Sequence, residues 1–158
     1  MNPIVQAFRN DFERFFGLQK QQIAACPDEV WLQKTTGFPF WLEQLHSIYF
    51  VGVYTLPQDA PEPACRFSRK VLMFSEEPEG SMSKDELLEL AGDMERAAHA
   101  FMDSLLDADL PKQHPRMSRV LGRECTNQQA LVGLIRHCCY HLGCCDAALR
   151  AHGLPGVY

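Results

Sequence analysis

Apolar residues recur three and four positions apart along four stretches of the chain, and the ten prolines fall at the starts of those stretches or between them. The first stretch opens at Asn2, a capping residue, followed by Pro3, whose fixed φ suits the first helical position. Ile4, Val5, Phe8, Phe12, Phe15 and Phe16 then recur at helical spacing, and the pattern fades before Pro27. A second helix is predicted from near Pro39 to before Pro57, with Leu42, Leu45, His46, Tyr49 and Val53 on one stripe. Ser83 and Glu86 form the signature of a capping box opening a third helix, whose inward stripe reads Leu87, Leu90, Met94, Ala97, Phe101 and Leu105. Thr126 and Gln129 repeat that signature for a fourth. There Leu131, Leu134, Cys138, His141, Cys145 and Ala148 face inward, and Gly153 supplies a left-handed end.

Two connections are long. Leu56 to Met82 carries four prolines around a β-leaning run from Arg69 to Phe74, and Asp107 to Cys125 carries Pro111 and Pro115. Connections of that length usually serve as lids or binding loops. Four amphipathic helices with two such connections predict an all-α four-helix bundle, a single domain over residues 1–158.

Composition narrows the function classes. Hydrophobic residues make up 46% of the chain, enough for an ordinary core without a staple, and 20 carboxylates against 15 Lys and Arg give a formal net charge of -5. A basic helix face is missing, so nucleic acid is not the expected partner. No apolar run approaches the roughly 20 residues of a membrane span. The N-terminal residues lack the apolar stretch of a secretory signal, so the expectation is a cytoplasmic protein whose seven cysteines are mostly free thiols.

The candidate chemistry lies in three histidines. His137 and His141 are four apart, which puts two imidazoles on one helical face about 5–6 Å apart at Cβ. That face is the apolar one, shared with Leu134, Cys138 and Cys145. His46 sits inside the apolar stripe of the second helix. Rings turned inward are costly unless each nitrogen finds a partner, and a divalent cation would satisfy one nitrogen of each. The competing reading is a set of hydrogen-bonded core histidines. Glu43 and Asp146, the nearest carboxylates in sequence, are expected to be solvated or salt-bridged.

The string Ile135-Arg-His-Cys-Cys-Tyr-His-Leu-Gly143, continuing through Leu149-Arg-Ala-His-Gly153, resembles the H-x-x-x-H-x-G ending of the DinB-like metalloenzyme superfamily of four-helix bundles. Trp41, Leu45 and His46 resemble its second-helix motif, an aromatic about one turn before a single histidine. The residue after the glycine, often Gln in that family, is Cys144 here. The resemblance implies that His46, His137 and His141 ligate nickel or zinc, with iron as an alternative, and that the chain pairs into a homodimer. It also implies a thiol-dependent transferase or isomerase acting on a small molecule with a low-molecular-weight thiol. A metal-dependent hydrolase and a non-catalytic bundle with a structural ion remain as alternatives.

The other polar residues read more plainly. Cys144 could flank the metal, although buried cysteines are commonly apolar filler. Tyr49 and Tyr140 are candidate proton donors near the ion. Lys112, Arg116, Arg119 and Arg123 form a basic run that could hold an anion, or a solvated surface. His99 is expected on a flank, His114 in solvent, and His152 at a helix C-terminus where the dipole favours its charged form.

Overall fold

A computed structural model describes residues 2–35 and 37–158, and every regular element among them is helical. The α-helices are α1 (Pro3–Ala25), α2 (Asp28–Trp31), α3 (Phe40–Thr55), α4 (Arg69–Leu72), α5 (Lys84–Asp103), α6 (Pro115–Leu121) and α7 (Asn127–Ala151), with a 3-10 turn at Asp107–Asp109. The predicted starts hold. Pro3 occupies the first turn of α1, and full capping boxes open α5 (Ser83 with Glu86) and α7 (Thr126 with Gln129). None of these helices is long and apolar enough to cross a membrane.

The four long helices pack so that α1 and α3 each lie along both α5 and α7. Phe12 and Phe16 of α1, Leu45 and Ile48 of α3, Leu87 and Met102 of α5, and Leu134 and Cys138 of α7 share one apolar core. Where α1 and α3 approach, the contact is polar: the Ser47 hydroxyl donates to Gln19 Oε1 and the Gln44 amide donates to Gln22 Oε1, with all four residues buried. Helix α3 is buried at every position from Phe40 to Tyr49. A helix buried on every side must be covered on every side, and the second cover is the Leu56–Met82 connection. Phe67 packs against Trp41 at 5.1 Å between ring centroids, and Val71 and Leu72 of the same strap are buried.

Several expectations give way. The β-leaning run from Arg69 to Phe74 opens as helix α4 and ends in a turn, because the Ser68 hydroxyl accepts from Val71 N–H and caps a helical turn that branched side chains alone do not exclude. Helix α2 follows Pro27, with Asp28 and Glu29 in its first turn. The second connection contains α6, with Pro115 at its start and Gly122 at φ 64° at its end. On α5 the buried stripe is Leu87, Ala91, Met94, Ala98 and Met102, while Leu90, Ala97 and Phe101 are only half-buried. Ile4 faces solvent, leaving Val5 as the first buried residue of α1.

Candidate metal centre

His46 comes from the middle of α3, and His137 and His141 come from adjacent turns of α7, so the packing of α3 on α7 decides whether they meet. They meet. One ring nitrogen of each lies within 4.8 Å of those of the other two, and this is the group of His, Cys, Asp or Glu side chains able to hold an ion among the described residues. The ring centroids are 5.0 Å apart for His46 and His137, 4.6 Å for His46 and His141, and 4.5 Å for His137 and His141.

Hydrogen bonds assign the protons. His46 Nδ1 lies 2.6 Å from the Leu72 carbonyl oxygen, which can only accept, so Nδ1 carries the proton and the Nε2 lone pair is left for another partner. His141 Nδ1 lies 2.8 Å from Glu43 Oε1, and a carboxylate acceptor there imposes the same tautomer. His137 Nε2 is buried and has no hydrogen-bond partner. Gln19 Nε2 and Gln44 Oε1 also lack a partner, and what sets His137 Nε2 apart is that two further imidazoles offer their nitrogens beside it. Burial also holds the His46 imidazole down to about 4 and the His137 imidazole to about 3, the neighbouring histidines adding to both. Both rings are therefore neutral near pH 7, the form that ligates a cation.

Aromatic rings close around the cluster. Phe74 stacks on His46 at 4.5 Å, Phe50 packs against His46 at 4.7 Å and His137 at 5.5 Å, and Tyr140 meets His141 edge-on at 5.0 Å. The donor set suits a borderline divalent ion: three imidazoles, one nitrogen orphaned, and the outward nitrogens of the other two tied to a carbonyl and a carboxylate. Compared with family models, curated proteins and solved structures, the chain matches none.

Glu43 sharpens the sequence reading. Of the two expectations, solvent or a salt bridge, it takes the second in an unexpected place: only 4% exposed, it pairs with a candidate ligand, His141. A signal was available, since Glu43 precedes His46 by one helical turn in a segment otherwise dominated by Phe40, Trp41, Leu42 and Leu45. Asp146 does pair as expected, with Arg150, and it also accepts from the Val157 and Tyr158 N–H groups. The Leu72 carbonyl and Phe74 could not be foreseen, because both depend on how the long connection between α3 and α5 folds back over α3.

The remaining candidates fall away from the centre. The Cys144 thiol faces the Tyr140 hydroxyl and lies outside the three-histidine group. Tyr49 donates to Glu62 Oε2 at 2.7 Å, and Glu62 also pairs with Arg69. His114 is buried rather than solvated: its Nδ1 accepts from Met117 N–H at the start of α6, and its Nε2 donates to the Tyr54 carbonyl. The basic run is no anion cradle, because buried Arg116 donates to the carbonyls of Pro57 and Ala60 at 2.9 Å each and Lys112 pairs with Asp109. His99 lies on a flank beside Glu13, and His152 bonds the Ala148 carbonyl at the end of α7. All seven cysteines are free.

Proposed function

We propose that the protein binds one divalent metal ion through His46, His137 and His141 and uses it as a thiol-dependent transferase or isomerase. The proposed architecture is a four-helix bundle of the DinB-like superfamily, and nickel or zinc is the ion. The observation that carries the reading is the buried, unpartnered His137 Nε2 beside two histidines whose Nδ1 protons are already committed to protein acceptors. When bound, the ion supplies the positive charge that favours the ionised, nucleophilic form of a thiol at neutral pH.

The chain's own residues do the rest. Glu43 and the Leu72 carbonyl fix the tautomers and directions of His141 and His46, and Phe50 and Phe74 exclude water from the ring faces. With no cysteine or carboxylate in the three-histidine group, the coordination sphere has room for an exchangeable ligand, which favours a catalytic over a purely structural ion.

The test is elemental analysis of purified protein beside His137→Ala and His141→Ala, followed by a thiol-consumption assay of the metal-loaded protein with a panel of electrophiles. One equivalent of metal in the wild type and none in the variants supports the site. Loaded protein that consumes no low-molecular-weight thiol refutes the transferase reading.

A further inference from the structure

Three helices of this chain end in the same hydrogen-bonded turn, in which one residue adopts a left-handed conformation, its N–H and the next one reaching back to the helix. After α6 that residue is Gly122 (φ 64°), with Gly122 N–H bonded to Arg119 O and Arg123 N–H to Ser118 O. After α7 it is Gly153 (φ 73°), with Gly153 N–H on Arg150 O and Leu154 N–H on Leu149 O. After α4 it is Phe74 (φ 58°), with Phe74 N–H on Val71 O and Ser75 N–H on Lys70 O. Phe74 is the one residue other than glycine with positive φ among the described residues. A bulky side chain there carries an intrinsic steric cost, which something in the surroundings must offset.

What offsets it is a stack of three rings. Phe74 lies between His46, at 4.5 Å and 22° between planes, and Phe38, at 4.1 Å and 21°. The same turn presents the Leu72 carbonyl to His46 Nδ1. An imidazole on a helix keeps two soft torsions, and the two contacts remove different freedoms. The carbonyl bond, in the ring plane, selects which nitrogen points inward, while the stack sets the tilt of that plane. His137 has no comparable clamp, its Nε2 being without a hydrogen-bond partner.

The geometry points to Phe74 as a positioning residue for His46. Its ring, seated from a left-handed backbone position, holds the α4 turn and its Leu72 carbonyl against the imidazole and so presets His46 for a metal ion. The inference rests on the proposed metal site and adds to it a residue that touches no metal.

The variant Phe74→Gly tests this well, because glycine is the residue that turn ordinarily takes, so the backbone turn keeps its form while the ring that seats it is removed and the Leu72 carbonyl is free to leave Nδ1. Two measurements apply. Proton–nitrogen correlation spectra of the metal-free protein report the His46 tautomer, and titration with Co²⁺ reports affinity and the visible absorption bands of the loaded site. The expected result is a single Nδ1–H tautomer in the wild type and averaged ring-nitrogen shifts in Phe74→Gly. Cobalt affinity should fall about tenfold or more with altered bands, and Phe74→Tyr should restore both. If Phe74→Gly does not fold, Phe74→Leu, with bulk but no ring, takes its place under the same criteria. An unchanged His46 tautomer together with unchanged cobalt binding overturns the proposal. A wild type that takes up no cobalt, with a tautomer that still responds to Phe74, refutes the metal reading and leaves the positioning role intact.

Discussion

Glu43 and His46 stand one turn apart on α3, and both serve the same centre: His46 as a candidate ligand, Glu43 as the acceptor for the Nδ1 proton of His141 on α7. A single helix thus supplies one imidazole and orients another across the core. The arrangement ties the site to the packing of α3 on α7, since any shift between the helices alters the Glu43–His141 distance of 2.8 Å.

Glu43→Ala therefore acts on the metal without touching it. Loss of the acceptor frees the His141 ring to take the other tautomer, and divalent-metal affinity should fall about 10–100-fold. Glu43→Gln keeps an acceptor oxygen and loses the charge, so its loss should be smaller. Competition against a chromophoric chelator measures both, and equal affinities for wild type and Glu43→Ala would remove Glu43 from the site.

His137 should show a stability–function conflict. Its buried Nε2 makes no hydrogen bond, so replacing the ring with an apolar side chain of similar size removes an unsatisfied group. His137→Leu is expected to raise the thermal midpoint of the metal-free protein while abolishing the rise that metal produces. Differential scanning calorimetry with and without Zn²⁺ checks this. A metal-free His137→Leu clearly less stable than wild type would mean that His137 is there for packing.

The outcome follows how far each feature depends on local sequence. Capping boxes, proline starts and 3.6-residue periodicity are local, so all four long helices and the inward faces of His137 and His141 could be read directly. Pairing His46 with them needed only that two apolar stripes face each other. The α5 stripe drifted because a strict seven-residue pattern was imposed on a helix that turns every 3.6 residues. Helix α4 was hidden by the β-leaning Val71 and Phe74, whose placement is settled by the Ser68 cap and by a stack on His46. The pairing of Glu43 is legible only in part, because acidic residues are usually solvated and its buried partner appears only once α7 delivers His141 to it.

The pH dependence of folding follows from the two depressed imidazoles. An unfolded histidine titrates near 6.5, whereas folded His46 titrates at about 4 and folded His137 at about 3. Between those values the unfolded chain binds more protons than the folded one, so stability rises with pH across that window. Their titration contributes nothing well above pH 6.5 and destabilises progressively as pH falls toward 3. Urea midpoints of the metal-free protein from pH 7 to pH 4 should decline, and less steeply in His137→Leu. Parallel declines in the two proteins would contradict the depressed value for His137.

Arg116 decides whether the two long connections fold independently. Only 6% exposed, it reaches from the first turn of α6 to the carbonyls of Pro57, Ala60 and, at 3.5 Å, Pro61, so the second connection latches the first. Its neighbours in the basic run do nothing comparable: Lys112 pairs only with adjacent Asp109, and Arg119 is exposed. Arg116→Ala leaves carbonyls without their donor and should cost about 1–3 kcal/mol, whereas Lys112→Ala and Arg119→Ala should stay within roughly 0.5 kcal/mol of wild type. Chemical denaturation gives the three values. Hydrogen exchange should also show faster amide exchange in residues 57–66 of Arg116→Ala than in wild type. If the three variants are equally stable, the basic run is the solvated surface its sequence suggests, and the strap over α3 is held by its other contacts, Phe67, Glu62 and the α4 turn among them.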